Sequence, residues 1–219
     1  MINVGIVRFP GSNCDYDTRR FFDLLGCRTG FVWCEALQDL YNYDLIVLPG
    51  GFSFGDYEGV GVTASRTPVV QELGSFVSSG GKVLGICNGF QILTVAGLLP
   101  GYFAKNKCET YFSAPVEIET DCYEFGRFTG EIPIANKYGN YRISGEGLAE
   151  LRENSQIIMR YSGENPTGSV GNIAGICDEN RNIFGIMPHP ERVAGLFFEN
   201  NNGIIILRHF LKNAFYEKI

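Results

Sequence analysis

Short apolar runs alternate with amphipathic segments through the first half of the chain. The apolar runs that predict strands are Asn3–Phe9, Thr29–Trp33, Leu45–Leu48 and Lys82–Ile86. The segments with helical periodicity are Asp17–Leu25, a segment from Thr67-Pro68 to Ser78, and Asn88–Ala96. Alternation at this spacing predicts an α/β fold with an open, doubly wound, mostly parallel sheet.

The second half of the chain has a different pattern, in which strand-like runs follow one another with few helices between them. The predicted strands are Pro115–Glu119, Glu131–Ala135, Gln156–Tyr161, Ile173–Cys177 and Asn182–Met187, and a final helix is predicted over Ile204–Tyr216. This pattern favours an antiparallel or mixed extension of the sheet. Because no repeat, low-complexity segment or long polar linker divides the chain, we expect residues 1–219 to form a single domain.

Composition narrows the class of protein. The chain has 219 residues, a net charge of −6 and no basic run, which argues against a nucleic-acid partner. Its apolar runs are too short to span a membrane, and no signal peptide is expected. Seven cysteines without a Cys-x-x-Cys pair suit a reducing, cytoplasmic compartment, and two distant histidines give a metal site little to build on.

The segment Gly85–Gly89 joins the predicted strand Lys82–Ile86 to the helix that follows it. A sharp strand-to-helix turn crowds its neighbours, and glycine two positions before and after Cys87 relieves that crowding. Such a turn aims the N-terminus of the next helix at the sulfur, which favours the thiolate. The pattern predicts a nucleophile elbow at Cys87. For this segment taken alone, a buried structural cysteine is an equal alternative.

A cysteine nucleophile needs a base and a group that orients the base. The candidates are His189 and Glu191, which are two residues apart and would face the same way on an extended backbone. A loop histidine beside a solvated glutamate is the alternative interpretation of this short motif. The other histidine, His209, lies in the final helical pattern and is expected to be a surface or packing residue.

Two segments could supply the donors of an oxyanion hole. The backbone N–H of Asn88 follows the nucleophile directly, and Gly50-Gly51-Phe52 follows the predicted strand Leu45–Leu48. Carboxyl ends of parallel strands lie at one edge of a sheet, so both segments should reach the same face. A plain glycine-rich turn is the alternative for Gly-Gly alone.

Gly59–Ala64 matches a dinucleotide fingerprint of the G-x-G-x-x-A type. No predicted strand directly precedes it, and no helix clearly opens on it, so the match is weak.

The elbow cysteine, Pro-Gly-Gly upstream and His-Pro-Glu near the C-terminus together resemble the class I, triad-type glutamine amidotransferases. Within that class, the chain is similar to the glutaminase subunits of phosphoribosylformylglycinamidine synthases. Six segments in the same order carry the match: Phe9–Asp15, Leu48–Tyr57, Gly85–Leu93, Asn165–Ser169, Asn172–Ile176 and Met187–Arg192.

The resemblance implies a flavodoxin-like sheet and hydrolysis of L-glutamine through a glutamyl thioester. Cys87 would be the nucleophile, His189 the base and acid, and Glu191 the residue that orients His189. The residues that match oxyanion or glutamine-contacting positions of the family are Gly51, Phe52, Asn88 and Gln91.

The resemblance also implies partners. Ammonia would pass to a large synthetase subunit, often with a small bridging subunit, which uses ATP to form the amidine in purine biosynthesis. ATP and magnesium would bind to the synthetase, so no cofactor and no metal are expected on this chain.

The chain departs from the family pattern in two segments. Where relatives carry His-Gly-Glu-Gly followed by a basic and an aromatic residue, this chain reads Asn136–Tyr141, in which only Gly139 and Tyr141 survive. The run at Asn106–Phe112 is also altered. In the family these segments lie near the glutamine pocket or the synthetase contact, so glutamine affinity or partner coupling would be affected.

The alternatives are a glutaminase-like subunit of the same complex that has lost turnover, and a different cysteine hydrolase or amidotransferase on this fold. Related cysteine enzymes of another branch typically carry His directly after the elbow cysteine, where this chain has Asn88.

Overall fold

The structure of the chain, a computed structural model, describes residues 1–37, 40–193 and 201–216. The chain divides into two units. The first contains Met1–Pro100 and Cys177–Gly185, and the second contains Gly101–Ile176 and the described part of Ile186–Ile219.

The elements follow the order predicted from the sequence, with several additions. The strands are β1 Asn3–Arg8, β2 Arg28–Trp33, β3 Leu45–Leu48, β4 Lys82–Ile86, β5 Tyr102–Ala104, β6 Phe112–Cys122, β7 Gly126–Asn136, β8 Asn140–Arg142, β9 Ile157–Tyr161, β10 Ile173–Cys177 and β11 Ile183–Ile186. The helices are α1 Asp15–Leu24, α2 Val62–Ser65, α3 Pro68–Ser78, α4 Asn88–Val95, α5 Gly145–Glu153 and α6 Asn202–Ala214. Among the helices in the described ranges, none has both the length and the apolar character needed to cross a bilayer.

The first unit contains the parallel part of the fold. Its strands lie in the order β2-β1-β3-β4, all pairs parallel, with β11 next to β4. Strands β3 and β4 are almost wholly buried, as continuous apolar runs predict. The strand order reverses between β1 and β3, which is the switch point of a flavodoxin-like sheet, where ligands bind outside the carboxyl ends of the strands. This confirms the predicted fold class.

The second unit contains the antiparallel strands. Its strands lie in the order β10-β9-β6-β7, and each pair is antiparallel. Burial alternates along β6, as expected for a sheet with one face exposed. A separate antiparallel pair joins β5 to β8. The antiparallel character predicted for the second half is therefore confirmed.

The expectation of few helices in the second half misses α5. This helix buries only Leu151, so it has no apolar face strong enough to stand out as a periodic pattern. The sequence does contain residues typical of helix ends. Ser144 caps the N-terminus of α5 by accepting a hydrogen bond from the Gly147 N–H at 3.1 Å. Glu146 in the first turn and Arg152 in the last turn also complement the helix dipole.

Two helical glycines of the first unit have opposite surroundings. A Cβ on Gly89, in α4, would overlap the carbonyl oxygen of Leu48 at the end of β3. A Cβ on Gly74, in α3, would meet nothing within 4 Å. The helix α4 thus approaches β3 so closely that only glycine fits at position 89.

Gly89→Ala is expected to lower the free energy of unfolding by about 1–3 kcal/mol, the usual cost of overpacking. Gly74→Ala is the matched control and is expected to raise it by about 0.5–1 kcal/mol, because alanine is the better helix former. Urea denaturation of the two variants measures both effects, and equal effects would contradict the close approach.

Candidate active site

Cys87 occupies a sharp turn between β4 and α4. Its backbone has φ 50° and ψ −102°, a conformation that costs a residue other than glycine about 1–3 kcal/mol and that clusters at active sites. A Cβ on Gly85 would lie 2.6 Å from the Gly89 carbonyl carbon, so glycine is needed on both sides of the turn. The strand–turn–helix geometry predicted for this segment is confirmed, and Cys87 sits at the N-terminus of α4.

Two other cysteines have environments that oppose reactivity. None of the seven cysteines, all of which the structure describes, forms a disulfide. Burial, reinforced by Asp23, raises the pKa of Cys27 to about 11, and burial, reinforced by Glu35, raises the pKa of Cys34 to about 11. Both groups stay protonated at neutral pH, and the thiolate is the nucleophilic form.

The segment Gly50–Phe52 after β3, here called the glycine loop, is held by the segment that follows β1. The N–H of Cys14 donates to the carbonyl of Gly50, and the N–H of Phe52 donates to the carbonyl of Gly11, both at 3.4 Å. Gly51 has φ 141°, and a Cβ there would lie 2.7 Å from Asn13 Oδ1. Since the Phe52 N–H is directed at Gly11, we take the Gly51 N–H as the candidate oxyanion donor of this loop.

The loops that follow β3 and β4 start side by side, because Leu48 and Gly85 are partners in the register. The buried amide of Asn88 joins them: its Oδ1 accepts from the Ser53 N–H at 3.2 Å. Its Nδ2 donates to Gln91 Oε1 at 3.1 Å. The structure therefore brings Asn88 to the residue that follows the glycine loop, and the two loops reach the same edge of the sheet, as the sequence predicts.

His189 and Glu191 form a buried pair in the second unit. The imidazole Nδ1 lies 2.6 Å from Glu191 Oε1, and the side chains are 2% and 0% exposed. The His189 N–H donates to the carbonyl of Pro133 in β7 at 2.8 Å, which fixes the backbone. A carboxylate on Nδ1 selects the tautomer that carries its proton there and leaves Nε2 as the basic nitrogen.

The backbone that makes this pair differs from the prediction. The spacing of His189 and Glu191 predicts an extended segment, but Pro190–Arg192 forms a 3₁₀ turn. Pro190 stands at the first position of that turn, where its fixed φ favours helical geometry. The turn itself, closed by the Arg192 N–H donating to the His189 carbonyl, brings the glutamate back to the imidazole. His209 is exposed in α6 beside Gly126, as predicted.

The two segments that depart from the family pattern bond to each other, which the sequence did not reveal. Buried Asn106 donates from Nδ2 to the Asn136 carbonyl at 2.8 Å and accepts at Oδ1 from the Gly139 N–H at 2.7 Å. Its own N–H donates to the Lys137 carbonyl at 2.9 Å. Asn106 thus holds the altered segment in shape.

The two residues that survive in the altered segment have packing reasons to do so. A Cβ on Gly139 would overlap Asn136 Oδ1 and approach Thr167 Cγ2 at 2.9 Å. Tyr141 is fully buried with its ring 5.6 Å from that of Phe103, and burial raises its pKa. These are constraints of packing within the second unit.

The segment Gly59–Ala64 lacks the setting of a dinucleotide site. A helix does open within it, contrary to expectation, since α2 begins at Val62. That helix has only four residues, and a 3₁₀ turn at Ser53–Asp56 precedes the segment where a strand is required.

Comparison with known proteins defines the class. Residues 1–203 match the family model of the CobB/CobQ-like glutamine amidotransferase domain, and the chain belongs to this family. This confirms the amidotransferase class that the elbow, the glycine loop and the His-Pro-Glu segment indicate.

Within the family, the chain is similar to phosphoribosylformylglycinamidine synthase subunit PurQ. It is 42% identical over 214 residues to the subunit of Wolinella succinogenes (94% of this chain, 98% of the relative). It is 46% identical over 220 residues to that of Helicobacter hepaticus (97% and 99%). Among solved structures, PurLQS from Thermotoga maritima matches with a TM-score of 0.86 and 32% identity over all of both chains.

A protein described as a GMP synthase subunit from Thermoplasma acidophilum matches with a TM-score of 0.64 and 16% identity, covering 100% of this chain and 96% of the other. At that identity the likeness shows the fold alone.

Asn106→Ala is expected to lower the free energy of unfolding by about 2–4 kcal/mol, because two buried backbone groups, the Asn136 carbonyl and the Gly139 N–H, lose their partners. Asn213→Ala is a control, since Asn213 makes one exposed bond to the Tyr123 carbonyl, and it should cost less than about 1 kcal/mol. Thermal and urea unfolding measure the difference, and a similar loss in both variants would be inconsistent with this role of Asn106.

Proposed function

We propose that this chain is the glutaminase subunit of a phosphoribosylformylglycinamidine synthase. The observation that carries the proposal is the elbow at Cys87, in a chain whose relatives are PurQ subunits over almost their full length. The buried His189–Glu191 pair supports it, because a cysteine amidohydrolase requires an oriented base.

In the proposed mechanism His189, held by Glu191, takes the proton of the Cys87 thiol, and the resulting thiolate attacks the carboxamide carbon of glutamine. The imidazole then gives the proton to the departing nitrogen, so that ammonia leaves and a glutamyl thioester remains. His189 then takes a proton from water, which attacks the thioester and releases glutamate and the free thiol. Each step uses the same imidazole, first as base and then as acid.

Oxyanion stabilisation is assigned to backbone donors. The Asn88 N–H at the start of α4 and the Gly51 N–H in the glycine loop would donate to the oxygen that becomes negative in each tetrahedral intermediate. The bond between Ser53 and Asn88 supports this assignment, because it ties the two donor segments together. Gln91, on the next turn of α4, is proposed to contact the substrate glutamine.

The ammonia is proposed to pass to a large synthetase subunit, with a small bridging subunit as a further partner. The solved PurLQS assembly supports partners of this kind. ATP and magnesium would act on the synthetase, and we propose no cofactor or metal for this chain. Purine biosynthesis and seven free cysteines suit the cytoplasm.

A docking subunit without turnover is the second candidate. The replacement of the family's His-Gly-Glu-Gly by Asn136–Gly139 favours it, because this segment lies near the glutamine pocket or the synthetase contact in the family. The experiment on Cys87 below separates the two candidates.

In the complex with the synthetase, Cys87→Ser should abolish glutamine-dependent amidine formation, because a poorly activated hydroxyl replaces the thiolate. Ammonia-dependent formation should persist, since the synthetase is intact. The measurement is amidine formation with glutamine or with ammonium chloride as nitrogen donor. A wild-type complex that uses ammonia but not glutamine would support the docking subunit and refute the glutaminase.

Glu191→Gln is expected to leave a slower enzyme, with kcat reduced about 10²–10⁴-fold, because the tautomer and orientation of His189 are no longer held. Glu153→Gln removes the same charge from the exposed surface of α5 and should have no effect. Steady-state glutamine hydrolysis in the complex measures both variants. An unchanged kcat in Glu191→Gln would refute its role.

A further inference from the structure

Strand β7 lies at the open end of the strand order in the second unit, next to β6. In an antiparallel pair, every second residue bonds to the neighbouring strand, and the residues between them turn their backbone groups to the other side. Pro133 is one of the outward residues, because its carbonyl accepts from the His189 N–H at 2.8 Å. The backbone groups of Arg127, Thr129 and Glu131 therefore face outward as well.

The open stretch of this edge is short and has a defined end on each side. The segment of His189 occupies the edge at Pro133, and a proline has no N–H to offer to a further strand. At the other end β7 begins at Gly126, directly after the turn from β6. The part of the edge that a further strand could use is thus residues 127–131.

The side chains of the three outward residues in this stretch lie on the exposed face of the sheet. Arg127 and Glu131 stand two positions before and two positions after Thr129, and all three are exposed. Edge strands that are protected against self-pairing typically carry charges of one sign, which repel a second copy. A cation and an anion placed symmetrically about a central residue have the reverse effect, because they attract their counterparts in an antiparallel copy.

The backbone selects the register of such a pairing. With a two-fold axis at Thr129, the outward groups of Arg127 face those of Glu131 in the second copy, and Thr129 faces its own equivalent. The Glu131 carbonyl accepts from Asn202 Nδ2 at 3.0 Å, and a carbonyl has a second lone pair for the new strand. An axis one residue further along would place Pro133, which has no N–H, opposite Arg127.

The charges on β6 favour the same pairing. In the register of β6 with β7, Glu131 stands opposite Glu117, and like charges in this position destabilise a sheet. A second copy would place an arginine on the other side of Glu131 and so compensate for that repulsion. Neither Arg127 nor Glu131 forms an ion pair with another residue in the described part of the chain.

We infer that the β7 edge is a self-association site: two copies of this chain join antiparallel across a two-fold axis at Thr129, so that the sheet of the second unit continues from one copy into the other. The partner is a second copy because the charges and the backbone groups of the edge complement themselves. The inference does not depend on the proposed function. The contact is small, so the dimer is expected to be weak and to form at high protein concentration.

The test is sedimentation equilibrium of the 219-residue chain at concentrations up to about 500 µM, a range that covers weak association. The wild-type chain is expected to approach the mass of two chains. Arg127→Glu places like charges opposite each other at both ends of the ladder, and so does Glu131→Arg. Each substitution is therefore expected to raise the dissociation constant about tenfold or more.

An equimolar mixture of the two variants restores an opposite charge at every pair. Arg127→Glu and Glu131→Arg are therefore expected to associate with each other while each alone stays monomeric, with a dissociation constant within about threefold of the wild type. Arg28→Glu is the matched control, because it makes the same charge change at an exposed position of β2, an edge strand of the first unit. It should leave the dissociation constant unchanged.

Hydrogen exchange followed by mass spectrometry tests the same edge without a substitution. Peptides that contain residues 127–131 should exchange more slowly at high than at low protein concentration, because their outward N–H groups become bonded. Peptides from β2 should exchange equally at both concentrations. This measurement decides the matter if a charge variant fails to fold.

The inference is overturned if the wild-type chain stays monomeric over this range, or if the single substitutions leave its dissociation constant unchanged. It is also overturned if the two variants, each folded by circular dichroism, do not associate when mixed. Protection of residues 127–131 that appears only after synthetase subunits are added would assign the edge to a different protein, and would equally refute the pairing of two copies.

Discussion

The close approach of α4 to the end of β3 is the constraint on which the candidate site of the first unit depends. With no side chain at Gly89, the helix begins directly against the Leu48 carbonyl. The turn between β4 and α4 must then be sharp, and Cys87 takes up a positive φ. The strain is local, and the packing of α4 against β3 and β4 compensates for it. The backbone of Cys87, the proposed nucleophile, is therefore positioned by the packing of α4 against the sheet.

The same approach brings the first turn of α4 to the glycine loop, and one buried amide joins them. Asn88 bonds to Ser53 and Gln91, so the residue that follows the loop and the first turn of the helix share a single network. Buried polar groups are costly unless they are satisfied, so such a network allows few arrangements.

In the second unit, a tight turn of the chain positions the side chains of the candidate site. Pro190 begins a tight turn that faces Glu191 to His189, and the bond to Pro133 anchors the turn on β7. The altered segment at Asn136–Tyr141 is held by hydrogen bonds, because Asn106, itself in an altered segment, bonds to its backbone. The two segments that depart from the family pattern are therefore in direct contact.

The pattern of residues is sufficient to predict the class of fold, the parallel strands and the elbow. Leu45–Leu48 and Lys82–Ile86 are continuous apolar runs because both faces of a central strand are buried, and Pro68 and the glycines mark the ends of helices. The helix α5 is not predicted because it buries only Leu151. The turn at Pro190–Arg192 is not predicted because a His-x-Glu motif is compatible with more than one backbone conformation. The contacts of Asn88 with Ser53 and of Asn106 with Asn136 are visible only in the folded chain. Those contacts join segments far apart in the chain, and the direction of a hydrogen bond between them is set by packing, which no local pattern of residues records.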